Sequence, residues 1–511
     1  MSGCGARWNH RRPGGCVGGG CRRPPSCRAF NCVRPKPPRF EVTSNLASTL
    51  FAFLLTLGLV VIVHELGHFL FCKLFGVYVK TFSIGIGPKI LRKRVGETEY
   101  VLSAFPFGGY VKMAGEGMME EIQDTGTWEE RKYPLGTLEG NREAADLDED
   151  IPSERRFNLR PTWQRLLVFV AGPLFNLLLA FIIYTGLIAV EGLRTIPFTT
   201  VGEVRADSPA ALAGFAVGDH ILTVDGKSVQ DWDGVELGVL PPAQRQSGET
   251  PPVTVTVDRD GERTDLILAP VFDAAEGYWS VGLQPWNTTV GLVQRGGPAA
   301  KLGLRKGDVI VAVAGQPVTS FAAIAKAVNG SAEQEIELAW ERDGQSMSGS
   351  VVPDLADIQP GQTGGRIYFE PFFGSQKVSF LRAVVLGWDR TRSTISLTVG
   401  VLRDFVRRKL GLDAVGGPLR IGQAAGEMLR WSFSHLMYFI AFFSVNLFLL
   451  NLMPIPVLDG GHVLFLLVEA ARGGRPVPER MQAIATQMGL IILLLFMTFV
   501  VVLDVWKVTG H

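Results

Sequence analysis

At 511 residues the chain has room for about three folded units of roughly 150 residues each, and its positive mean hydropathy with only 19% charged residues points to a membrane protein with sizeable aqueous parts. Fifty Lys and Arg face 49 Asp and Glu, so net charge gives no argument for nucleic acid as a partner. Cys4, Cys16, Cys21, Cys27 and Cys32 crowd the N-terminus, Cys72 stands apart, and none has C-x-x-C spacing, so neither a zinc knuckle nor a disulfide framework is expected.

Residues 1–40 contain no Asp or Glu and show no apolar periodicity. The tail 1–43 is therefore expected to be disordered or to reflect a misassigned start site, rather than to be a nucleic-acid-binding arm. The first span, 44–71, includes an uncharged run at 46–63 and ends in His64-Glu65-Leu66-Gly67-His68. Residues four apart share a helix face, so His64 and His68 can grip one metal ion with Glu65 beside them on the same turn, the arrangement of a zinc hydrolase. Ionisable groups are expensive at membrane depth and mark function there, which favours a metal site over a chance motif.

From 76 to 113 the pattern turns to short alternating segments around the turn RKRVGE, a membrane-associated β region. Gly85, Gly87, Gly108 and Gly109 allow close backbone approach, for a tight bend or for an added substrate strand. Residues 114–160 read as an acidic linker. A second span follows at 162–190; its Asn176, four after Gly172, must find a partner in lipid, as helix-packing glue first and as part of the site second.

An internal repeat comes next. The stretch from Val201 aligns without a gap on the stretch from Val290, with Gly218, Asp219 and Gly226 matching Gly307, Asp308 and Gly315. This predicts two copies of one α+β module, 198–272 and 286–355. They resemble tandem PDZ domains, which take an extended peptide or a free C-terminus by strand addition; acting only as bulk that limits access is the alternative. Residues 376–430 have helical apolar spacing with basic positions, as amphipathic helices lying on the membrane surface or packed on a module. A third span at 433–453 is followed by an LDGG motif, and a fourth occupies 484–506. The basic loop with Arg472, Arg475 and Arg480 should be cytoplasmic, which puts the repeated modules outside and the His-Glu motif toward the cytoplasm.

A catalytic zinc takes three protein ligands and keeps one position open. Asp459, at the break made by Pro454, Pro456 and Gly460, is the candidate third ligand; a helix cap is the alternative. The His64–His68 motif, the run Asn451-Leu-Met-Pro454-Ile-Pro456-Val-Leu-Asp459-Gly460 and the paired modules together resemble the site-2 protease family of intramembrane zinc metalloproteases, in its bacterial regulator-of-sigma-E protease branch. The resemblance runs from about residue 44 to the end and implies a polytopic α-helical membrane protein of about four transmembrane helices, with the β region and two extracytoplasmic PDZ-like domains. It implies Zn2+ held by His64, His68 and Asp459, Glu65 as general base, and Asn451 holding or polarising the substrate backbone. The strands at Gly85 and Gly87 would receive the unwound substrate. The implied substrates are membrane-spanning proteins such as anti-sigma factors or remnant signal peptides, and the implied location is the bacterial inner membrane. Two alternatives stay open: a membrane zincin with Glu97 or Glu99 as third ligand, and a non-catalytic scaffold whose modules bind peptides around a structural metal.

Overall fold

The computed structural model describes residues 46–115, 151–239, 251–273, 278–359, 362–407 and 417–509. The N-terminal tail and most of the acidic linker, 116–150, lie outside the described residues.

Helix α1, Leu46–Leu74, is apolar on all sides up to the His-Glu motif, as a helix surrounded by lipid or other helices must be. It stops at Gly76 (φ 70°), where the Gly76 N–H bonds the Lys73 carbonyl and the Val77 N–H bonds the Cys72 carbonyl. That pair of bonds satisfies carbonyls the helix end would otherwise leave open.

Strands β1 (Val79–Val95) and β2 (Thr98–Met113) fold back on themselves. Residues 79–84 face 109–113, with Ile84 opposite Gly109, and also face 99–102, while 91–95 close the hairpin on 98–102. The bends require glycine: Gly85, Gly87 and Gly108 have φ of 89°, 93° and 147°. The inner end of this sheet packs on α1 through Val79, Phe82, Val111 and Met113.

Helix α2, Thr162–Glu191, crosses α1 very closely: a Cβ on Gly67 would lie 2.4 Å from the Ala171 carbonyl oxygen. Pro173 inside α2 cannot donate to the carbonyl four residues back, a cost that helices in membranes tolerate next to functional sites.

Beyond α2 the repeat folds twice in the same way. Strands 227–228, 220–224, 253–259 and 262–268 form one four-stranded sheet, and 316–317, 309–313, 336–342 and 345–351 form its copy in the same order. Each sheet covers its own core, with Ile221, Val255 and Trp232 in the first and Ile310, Leu338 and Trp340 in the second. The copies touch where Thr319 Oγ1 donates to the Gly202 carbonyl and Ser320 Oγ donates to Glu203 Oε2, both at 2.6 Å.

Beyond the modules come helices α3 (Phe380–Val406), α4 (Pro418–Trp431), α5 (Phe433–Asn451), α6 (Asp459–Ala471) and α7 (Glu479–Thr509). Helix α3 packs against α2. Gly387 lies on Thr185 there, and Tyr184 and Thr394 share a hydrogen bond of 3.3 Å. Helix α4 packs on α1, Gly426 against Thr49. Its N-terminus is capped by the buried Asp504 of α7, which accepts the Gly417 and Arg420 N–H groups at 3.1 and 3.4 Å. A carboxylate at a helix N-terminus meets unpaired N–H groups and the positive end of the dipole. Among the described residues four helices, α1, α2, α5 and Arg480–Asp504 of α7, are long and apolar enough to cross a membrane.

Candidate metal centre

Asp459 reaches the two histidines because the chain breaks between α5 and α6. The prolines stop α5, and the returning loop lies so close over the start of α6 that Cβ atoms on Gly460 and Gly461 would fall 2.3 Å from the Met453 and Ile455 carbonyl oxygens. At its far end α6 is tied to α2: Arg165 bonds Glu469, and Thr162 Oγ1 donates to Glu469 Oε1 at 3.0 Å. The helix-cap alternative does not describe Asp459, since Leu458 occupies the cap position and no side chain caps the helix.

The carboxylate turns to the imidazoles instead. His64 Nε2 lies 3.1 Å from Asp459 Oδ2, His68 Nε2 lies 3.5 Å from Asp459 Oδ1, and the two Nε2 atoms are 3.2 Å apart. The three groups offer ligand atoms all within 4.8 Å of one another, the histidines buried and Asp459 partly so. Among the described residues this is the one His, Cys, Asp and Glu group so gathered. His68 Nδ1 lies 2.8 Å from the Val168 carbonyl, which can only accept. Nδ1 therefore carries the proton, and Nε2 presents its lone pair to the cluster. Small residues make the room: a Cβ on Gly172 would lie 2.2 Å from His68 Nε2 and 2.9 Å from His64 Cε1. Two imidazole nitrogens and one carboxylate, with a bare lone pair pointing inward, fit a three-ligand zinc site that keeps a position for water or substrate.

The structure separates the remaining residues of interest. Glu65 is half-buried and runs beside β2: a Cβ on Gly109 would lie 2.9 Å from Glu65 Cγ. Asn451, at the end of α5, has Nδ2 3.4 Å from His64 Nε2. Gly85 and Gly87 sit instead at the bend of β1, where Cβ atoms would each fall 2.7 Å from Phe105, from its carbonyl oxygen and its ring respectively. Glu97 and Glu99 stay out of the cluster. Lys73 and Arg155 hold Glu97 at 2.6 and 2.7 Å, and Lys89 approaches Glu99 at 3.4 Å.

A lone amide in a span points to helix packing first, yet Asn176 Nδ2 lies 3.1 Å from His64 Nδ1. Its glue role is carried by the backbone, whose carbonyl accepts from Ser444 Oγ at 2.7 Å. Gly67, Gly172, the Val168 carbonyl and His462, stacked on Phe169 at 4.7 Å, went unremarked as parts of the site. The one available signal was the Gly-Pro-x-x-Asn spacing, which puts Gly172 and Asn176 on one face of α2.

The sequence pattern of peptidase family M50 matches residues 52–496. The chain is 32% identical over 482 residues to the "Putative zinc metalloprotease NMA0084" of Neisseria meningitidis, covering 90% of this chain and 100% of that protein. It is 32% identical over 471 residues to the regulator of sigma-E protease RseP of Escherichia coli, covering 88% and 96%. It is 31% identical over 470 residues to protease RseP of Yersinia pestis, with the same shares of 88% and 96%. With the gathered His64, His68 and Asp459 among its apolar helices, the chain belongs to peptidase family M50 and is an intramembrane zinc metalloprotease.

Proposed function

We propose that the enzyme hydrolyses peptide bonds inside the transmembrane segments of single-span proteins, with His64, His68 and Asp459 as zinc ligands and Glu65 as general base. The observation that carries this reading is the juxtaposition of Glu65, one residue from a ligand, with Gly109 on a strand of the hairpin. Zinc bound there supplies Lewis acidity to a scissile carbonyl and to the attacking water. Glu65 takes the proton of that water on a carboxylate oxygen and returns it to the leaving nitrogen. Asn451, at the mouth of the cluster, donates from Nδ2 to the substrate backbone.

A helical substrate has its carbonyls committed to internal bonds, so it must unwind before attack, and a strand edge supplies replacement partners. The hairpin's 109–113 segment is paired to β1 on one side, and it passes Glu65. We place the substrate along this hairpin, with Gly85 and Gly87 shaping the bend that aims it. The paired modules act as PDZ-like domains outside the membrane, admitting chains already shortened by another protease and binding a peptide or free C-terminus. The protein sits in a bacterial inner membrane with the metal centre toward the cytoplasm. Anti-sigma factors and remnant signal peptides are the substrate classes this predicts; RseP is itself named a regulator of sigma-E.

The test is cleavage of a tagged single-span substrate by detergent-solubilised protein, with bound zinc measured alongside. Glu65→Gln should keep zinc and lose about 100-fold or more in rate, the size expected for a general base. Zinc retained by both proteins with no cut in any of several spans would turn the reading toward a scaffold with a structural metal.

A further inference from the structure

His64 and His68 are not held alike. The ring of His68 is fixed by a main-chain carbonyl, that of Val168, and a carbonyl can serve only the tautomer with a proton on Nδ1. Among the described residues the ring of His64 has no such carbonyl on its Nδ1. Its closest partner there is the Asn176 side chain, fully buried on α2, with Nδ2 at 3.1 Å. The Asn176 Oδ1 atom is buried and has no hydrogen-bond partner among the described residues.

With Nδ2 against Nδ1, the amide donates, so His64 carries its proton on Nε2 and offers it to Asp459 Oδ2 at 3.1 Å. That proton must go when Nε2 ligates a metal. Nδ1 then becomes the donor and needs an acceptor, and a half-turn of the terminal amide puts Oδ1 where Nδ2 was without moving any carbon. A primary amide is a side chain that can serve either tautomer from one position.

We infer that Asn176 is a positioning residue that acts through His64, accepting its Nδ1 proton in the zinc-loaded enzyme and thereby fixing Nε2 as the ligand atom. This rests on the proposed ligand set. The partner of a ligating histidine's second nitrogen sets ring orientation and basicity, and its removal typically costs 10–100-fold in metal affinity.

The experiment is zinc affinity of the full-length protein in detergent, by competition with a chromogenic chelator, beside the melting temperature of the zinc-free protein. Asn176→Leu, which can neither accept nor donate, should weaken zinc about 10–100-fold. Asn176→Asp, which keeps the acceptor, should stay within about threefold of wild type by the same logic. Ser444→Ala removes only the bond to the Asn176 main chain and should also leave zinc affinity within that range. His64→Ala reports on the ligand set independently: if it leaves zinc affinity unchanged, the ligand reading itself fails. If His64→Ala weakens zinc and Asn176→Leu does not, the inference is overturned while the ligand reading stands. If Asn176→Asp falls as far as Asn176→Leu, the acceptor role is wrong. Should the leucine variant not fold, Asn176→Ala takes its place against the aspartate.

Discussion

Asp308 in the second module and Asp459 at the start of α6 are both largely withdrawn from water, but they are answered in opposite ways. Arg342 grips Asp308 with two bonds of 2.7 Å and also donates to the Gly303 carbonyl, while the Arg305 N–H adds another bond of 2.7 Å to the carboxylate. The first module repeats this: Arg259 donates to Asp219 and to the Gly214 carbonyl, and the Ala216 N–H donates to the Asp219 carboxylate. A fork of this kind neutralises the carboxylate and leaves nothing for a ligand. Among the described residues Asp459 has no arginine as a partner. It meets two imidazoles whose Nε2 atoms crowd together beside it, a donor set that a divalent cation would complete. A buried acid with a cation of its own is architecture; one facing two imidazoles is a candidate site.

The largest effect that would break this contrast comes from removing each charge in turn. Asp459→Asn should lower zinc affinity by about 100-fold or more and abolish cleavage, because it removes one member of the proposed ligand set. Asp308→Asn should leave zinc binding untouched, and equal zinc losses in the two variants would erase the distinction. Next in size is Gly172→Ala, whose added carbon meets both imidazoles. Displacing the rings by a fraction of an ångström to an ångström should cost about 100-fold in cleavage, with the modules unchanged by circular dichroism.

The smallest effect sharpens the other side. Burial pushes the Asp308 carboxyl up, but the Arg342 hydrogen bonds, the Arg305 N–H and the charges of both arginines outweigh it and hold the group below its ordinary value of 3.8. A lowered folded value means the stabilisation is complete above the unfolded value and disappears as pH falls through the folded one. Amide exchange along 336–342 should therefore accelerate in wild type only below about pH 4. Asp308→Asn should speed that exchange roughly tenfold at neutral pH and remove the acid limb, as expected when one partner of a buried charge-assisted bond goes. An unchanged acid limb in the variant would assign it to another group.

Much of this was legible beforehand for physical reasons. His64 and His68 declare themselves through helical spacing inside an apolar run, and Asp459 through an acid at a helix break where lipid would forbid one. The modules announce themselves by repetition. The pairing of residues 79–84 with two different parts of β2 was not legible, because alternation fixes which face a residue takes but not which neighbour a bent strand finds. Nor was Asn176: a lone amide in a span says only that it needs a partner, and its partner comes from another helix.

The capping of α4 by Asp504 carries a practical lesson. The last apolar helix holds, through one carboxylate, the N-terminus of a helix that lies against α1, the helix carrying the His-Glu motif. Shortening the protein to drop its final span, or joining a reporter before Asp504, would unpin a helix braced on the one that carries the His-Glu motif, so tags belong beyond that residue.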